Sequence, residues 1–152
     1  MSQTMNKNFI KLTWQDIDDY VVRLANRLRP VVEKKHITKI CAITRGGLFP
    51  AALLAREFDL RYIDTICARS YVGTESKDVE ILKIAADTGE NFLVVDEIAE
   101  TGKTIDAIRK CLKNTVVATI FATEEGKKHV DFYEAVKADN DWLMFPWEKY
   151  DL

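Results

Sequence analysis

Apolar residues recur at helical spacing between Thr13 and Pro30. Ile17, Tyr20, Val21, Leu24 and Leu28 fall on one face, the stripe that an amphipathic helix turns toward a core. Thr13 with Asp16 three residues on resembles a capping box for the helix start, and Pro30 is expected to end it. Lys39–Thr44 (KICAIT) predicts a strand. RGGLFP then turns the chain into a short helix over roughly Pro50–Phe58, and Arg61–Ala68 predicts a second strand. From Val72 to Lys83 the chain is polar, contains glycine and follows neither period, which predicts a mobile loop with a strand-like end at Val79–Leu82. Asp87–Glu90 (DTGE) reads as a turn. Phe92–Asp96 (FLVVD) and Val116–Ala122 are continuous apolar runs of the kind buried on both faces of a parallel sheet. Thr104–Leu112 predicts a helix between them, and the tail carries two short aromatic segments. Strands alternating with helices predict an α/β fold, a parallel twisted sheet flanked by helices with right-handed crossovers. No repeat, linker or low-complexity tract interrupts the pattern, so residues 1–152 read as a single domain.

Composition matters here for what it excludes. The 152 residues carry 22 Lys+Arg against 24 Asp+Glu, a net charge of −2. A nucleic-acid platform or an anionic-membrane binder would show a basic excess, so no nucleic-acid partner is expected. The longest apolar runs, Val116–Ala122 and Phe49–Ala55, fall far short of the ~20 residues of a membrane span, so no transmembrane segment is expected. Met1–Leu12 is polar and lacks a secretory apolar stretch. Cys41, Cys67 and Cys111 stand singly at no metal spacing, an odd set that points to a reducing, cytoplasmic setting. His36 and His129 also lack metal spacing and belong to turns.

Ligands of parallel α/β sheets bind beyond the carboxyl ends of the strands, which directs attention to FLVVDEIAETGKT, residues 92–104. A buried strand there ends in Asp96 and Glu97. A loop then runs through Glu100, Thr101, Gly102 and Lys103 to a helix start at Thr104. Free N–H groups at a helix start bind phosphate, Gly102 allows close backbone approach, and Thr101 and Thr104 add hydroxyls. The carboxylates ask instead for hydroxyls or a divalent cation. A sugar phosphate with vicinal hydroxyls and bound Mg²⁺ satisfies both halves. GKT at 102–104 also looks like the end of a P-loop, but that motif needs glycine at position 97, which is glutamate here. Thr44-Arg45-Gly46-Gly47 repeats the strand-to-loop logic, with exposed amides on the paired glycines and Arg45 able to reach an anion.

These segments resemble the type I phosphoribosyltransferases, nearest the bacterial xanthine-guanine group. The likeness spans nearly the whole chain: Thr13-Trp14, ITRGGLFPAALLARE, Arg69-Ser70-Tyr71, VVDEIAETGKT, VATIFAT, Trp142 and Pro146-Trp147-Glu148. The resemblance implies that a purine base of the guanine, xanthine or hypoxanthine type displaces pyrophosphate from C1 of 5-phosphoribosyl-1-pyrophosphate, in purine salvage. It also implies Mg²⁺ dependence, a homo-oligomer, and a small hood formed by the terminal segments. On matching positions, Thr101, Gly102, Lys103 and Thr104 cradle the 5′-phosphate. Asp96 and Glu97 hold the ribose hydroxyls and the metal. Arg45 with the Gly46 and Gly47 amides takes the pyrophosphate, and the Thr44–Arg45 peptide is expected to be cis. Ser70 and Tyr71 open a closing loop that carries Lys77. Glu100 handles the purine N7 proton, Trp142 stacks on the base and Leu143 meets its edge. The sequence departs from the family in three places. The usual Asp-Asp pair is Asp96-Glu97, the usual aspartate near N7 is Glu100, and the lysine that reads the 6-oxo group aligns with Thr123, whose hydroxyl is left to make that contact. Lys127 and Lys128 read as solvated charges in a turn. The departures leave two alternatives, a non-catalytic sensor of nucleotide or sugar phosphate on the same fold, and a transferase for another base.

Overall fold

A computed structural model describes residues 6–70, 79–86 and 91–150. The chain runs β1 (Asn8–Lys11), α1 (Trp14–Lys34), β2 (Lys39–Thr44), α2 (Leu48–Phe58), β3 (Tyr62–Ser70), β4 (Val79–Lys83), β5 (Phe92–Ala99), α3 (Lys103–Cys111) and β6 (Val116–Ala122). A single 3-10 turn at Gly126–Lys128, then β7 (Phe132–Val136) and β8 (Asp141–Met144), complete it.

Helix α1 starts as its sequence dictates. The Thr13 hydroxyl accepts from the Asp16 backbone N–H (3.0 Å), and the Asp16 carboxylate accepts from the Thr13 N–H (2.8 Å). Its end differs from expectation, because the helix continues through Pro30 to Lys34. Interior proline costs about 3 kcal/mol, yet Val32 beyond it is buried in the core and Val31 packs alongside. The apolar burial of that last turn outweighs the lost hydrogen bond.

Six strands form one sheet in the order β4-β3-β2-β5-β6-β7. All its pairs are parallel except β3–β4, which is antiparallel. Alternate residues of the central strands feed two cores. Ile40, Ala42, Leu93 and Val95 meet α1 and α2 on one face, with Leu24, Leu28 and Leu54. Cys41, Ile43, Phe92 and Val94 meet α3 on the other, with Ile105 and Ile108. The terminal segments meet as the expected hood, a two-stranded sheet in which β1 pairs parallel with β8 from Asn8↔Asp141 to Lys11↔Met144. Among the described residues no helix is long and apolar enough to cross a membrane.

The strand order positions the site. From β2 the chain winds outward through β3 to β4, and from β5 it winds the opposite way to β6 and β7. The carboxyl ends of β2 and β5 therefore diverge and leave a crevice between their loops, the place where open α/β sheets bind ligands.

Candidate functional site

The loop after β2 forms one wall of the crevice. The Thr44–Arg45 peptide is cis, as the family resemblance implies. The Gly47 N–H donates to Ile43 O (2.9 Å). A Cβ at Gly47 would lie 2.4 Å from Val95 O and 2.5 Å from Ile43 O, so the loop is pressed against two strand backbones where only glycine fits. At Gly46 a Cβ would overlap the Glu97 carboxylate, which lies against this glycine from the neighbouring strand.

The opposite wall is β5 and the loop that follows. Asp96 and Glu97 stand inside the strand, which runs on to Ala99, rather than at its end as the apolar run predicted. Pairing of Ile98 and Ala99 with Phe121 and Ala122 on β6 carries the strand past the acids. The Glu97 N–H donates to Asp96 Oδ1 (2.8 Å). Burial pushes the Asp96 carboxyl well above the usual carboxylate range, and the adjacent Glu97 charge pushes it further. Glu97 is also raised, first by burial and then by the charges of Glu148 and Glu100. Its Oε2 is buried without a hydrogen-bond partner among the described residues, an acceptor that calls for a donor or a cation. Among the described residues no cluster of three His, Cys, Asp or Glu side chains is arranged to hold a metal by itself. Two carboxylates nonetheless suit Mg²⁺, which binds through one or two carboxylates and completes its shell with ligand oxygens and water.

Three adjoining cavities divide the crevice. The first, about 70 Å³, is lined by Asp96, Glu100, Thr101, Gly102 and Thr104 at the start of α3. Gly102 caps that helix at φ 81°, a left-handed conformation that glycine adopts freely, and the His129 ring fills the space where its side chain would be. Lys103 is exposed and is not on this wall. The second cavity, about 450 Å³, is lined by Glu100, Lys137, Trp142 and Leu143 together with Lys7, Glu97 and Glu148. The third, about 800 Å³, has Arg45, Gly46, Phe49, Glu97, Trp147 and Glu148 on its walls. Glu100 is shared by the first two, and Glu97 and Glu148 by the last two. A pocket at a helix start, a cavity with an exposed aromatic ring and a cavity of mixed charge thus adjoin along one groove.

Most of the expected site residues converge here. Thr123 does not take the expected part. Its hydroxyl donates to Glu100 O and accepts from the Gly126 N–H (2.9 Å). With its one proton engaged it braces the Glu100 loop, and it stands on none of the three cavity walls. Lys127 and Lys128 pair at the surface with Glu124 (2.6 Å) and Glu125 (3.0 Å), as solvated charges do. Ser70 ends β3, whereas Tyr71, Lys77 and the expected turn at Asp87–Glu90 lie outside the described residues. Sequence reasoning missed Lys7, Lys137 and the part of Glu148 that faces the crevice. Lys7 and Lys137 stand in no local motif and reach the site at the ends of β1 and β7, whereas Glu148 belongs to the Pro146-Trp147-Glu148 segment, which by itself does not show that its carboxylate lines the crevice.

Residues 13–150 match a protein family described as the phosphoribosyl transferase domain. Among solved structures, the purine phosphoribosyltransferase of Pyrococcus horikoshii superposes with a TM-score of 0.77 at 25% identity, covering 95% of this chain and 96% of that one. The xanthine-guanine-hypoxanthine phosphoribosyltransferase of Helicobacter pylori does so with a TM-score of 0.77 at 23% identity, over 93% and 94% of the two chains. A Neisseria gonorrhoeae protein with bound ppGpp gives 0.74 at 21% identity, over 95% and 92%. At such identities the last two matches speak for the fold.

Proposed function

The chain belongs to the phosphoribosyl transferase domain family, and from that premise we propose that it transfers the 5-phosphoribosyl group from 5-phosphoribosyl-1-pyrophosphate to a 6-oxopurine of the guanine, xanthine or hypoxanthine type, in purine salvage. The observation that carries this reading is the continuity of the groove, in which Glu100 faces both the pocket at the α3 start and the cavity beside Trp142 and Leu143. A sugar seated over β5 with its 5′-phosphate in that pocket brings C1 toward the base cavity.

The reaction forms a bond from a purine ring nitrogen to C1 and breaks the bond from C1 to pyrophosphate. Its transition state is an oxocarbenium ion with a departing anion, so the protein's work is to position two reactants and stabilise leaving-group charge. Thr101, Gly102 and Thr104 at the α3 start bind the 5′-phosphate, where amides and helix dipole supply positive potential. Lys103, exposed at the rim, adds long-range attraction rather than a contact. Asp96 and Glu97 accept from the ribose hydroxyls and would hold Mg²⁺. When bound, Mg²⁺ supplies positive charge to the pyrophosphate oxygens. Arg45 with the Gly46 and Gly47 amides receives the pyrophosphate, Trp142 stacks on the base, and Leu143 meets its edge. Glu100 takes the proton that the imidazole ring of the base releases as the new bond forms.

The test is a base panel. The protein is incubated with the sugar pyrophosphate, Mg²⁺ and each of guanine, xanthine, hypoxanthine and adenine, and nucleotide is measured. We expect nucleotide from at least one 6-oxopurine. Glu100→Gln is expected to lower kcat roughly 100-fold or more while sugar-pyrophosphate binding persists. Tight nucleotide binding with no turnover on any base would convert the reading to a ligand sensor.

A further inference from the structure

Lys137 follows β7, and its backbone N–H donates to Ala122 O at the end of β6 (2.8 Å). This bond brings the residue to the carboxyl edge of the sheet and onto the wall of the cavity that holds Trp142 and Leu143. The side chain is 13% exposed, and its ammonium lies 3.9 Å from Glu100 Oε1. That separation is outside hydrogen-bond range. An ammonium has three donors and no acceptor, so Lys137 presents a largely buried cation that pairs with Glu100 at 3.9 Å and makes no hydrogen bond through its ammonium among the described residues, beside a cavity of about 450 Å³. Groups in such a position take acceptors from the cavity they face, from water when it is empty and from a ligand that displaces that water.

Two other candidate donors are placed elsewhere. The Lys7 ammonium sits 4.2 Å from the centroid of the Trp142 ring, a cation–π placement that leaves it over the aromatic face. The Thr123 hydroxyl proton is on Glu100 O. Purines differ most simply at C6, where an oxo group accepts hydrogen bonds and an amino group mainly donates them. A donor-only cation attracts the first and leaves the second unpaired beside it. Resting on the purine reading above, we propose that Lys137 is the residue that selects 6-oxopurines over 6-aminopurines, by donating from its ammonium to the 6-oxo oxygen.

The ratio of kcat/KM for hypoxanthine to that for adenine is the readout, because Glu100 serves both bases and its response to the loss of Lys137 cancels in the ratio. In Lys137→Met the ratio is expected to fall roughly 10- to 100-fold, the scale of a charge-assisted hydrogen bond. The loss should appear mainly in KM for hypoxanthine, with KM for the sugar pyrophosphate within about twofold of wild type. Lys137→Arg, which keeps a donor-only cation, should retain the preference. Calorimetric binding of inosine 5′-monophosphate against adenosine 5′-monophosphate supplies a second ratio that needs no turnover, and thermal unfolding confirms that each variant is folded. Wild-type turnover of a 6-oxopurine with an unchanged ratio in folded Lys137→Met would overturn the role of Lys137 and leave the purine reading standing. A wild-type protein that neither converts any purine nor binds either nucleotide would overturn both.

Discussion

Asp64 in β3 fastens two segments of chain with one carboxylate. Oδ1 accepts from the Thr65 N–H (2.7 Å) and the Lys83 ammonium (3.3 Å), and Oδ2 accepts from the Ala86 N–H (2.8 Å). Burial is the largest single influence and raises this carboxyl, but the two backbone donors and Lys83 together outweigh it and hold it below its ordinary value of 3.8. A carboxyl lowered on folding contributes stability that is fully present above the unfolded value and is lost as pH falls through the folded one. Unfolding followed by circular dichroism across pH 6 to 2 should show this acid limb in the wild type. Asp64→Asn should flatten it and cost about 1–2 kcal/mol at neutral pH. At this scale the sequence was most legible where chemistry is local. The adjacent acids 96–97, the glycines 46, 47 and 102, and the Thr13–Asp16 cap all declare themselves by type and spacing. Thr123 misled because a hydroxyl's use depends on where its proton goes, and here the acceptor is Glu100 O from another loop.

Helix α3 owes the shape of its pocket-lining start to Gly102. At φ 81° an alanine strains the backbone, and its Cβ would lie about 2.1 Å from the His129 ring carbon Cγ. Gly102→Ala should therefore push the loop outward. KM for the sugar pyrophosphate is expected to rise about 10-fold or more in steady-state assays, with a fall in Tm of a few degrees, the change of about 1–2 kcal/mol in a domain of this size. The elements themselves were largely readable. Strands over 39–44 and 116–122 stand where the apolar runs predicted them, and α3 begins one residue early, at Lys103. The errors share a cause. Helix α1 passes Pro30 because Val32 has a core to enter, and β5 outlasts its apolar run because β6 lies beside it. In each case a distant neighbour overrode a local preference. Strands β1 and β8, four residues each, escaped notice because short segments carry too little periodicity to announce a partner.

Across the whole molecule those two strands join the ends of the chain into the hood over the groove. Asn8 and Leu12 donate to Asn140 O (2.8 Å) and Met144 O (2.9 Å), flanking Ile10, and the hood carries Lys7, Trp142 and Leu143 into one cavity. Ile10→Pro should break this ladder. KM for the base is then expected to rise about 10-fold while KM for the sugar pyrophosphate stays within twofold, because the phosphate pocket and the Arg45 loop hang from β5 and β2 instead. By itself the sequence determined the alternation of strands and helices, the strand-loop-helix segment over 92–104 with its adjacent acids and Gly102, and the RGG turn, since each is written in contiguous residues whose spacing sets their geometry. Only the tertiary structure decided that β2 and β5 lie side by side so that their loops face each other. It also decided that Glu97 lies against Gly46 and that Lys137, rather than Thr123, stands in the cavity with Trp142. Those neighbours are far apart along the chain, and what joins them is strand pairing and core burial, which no local spacing encodes.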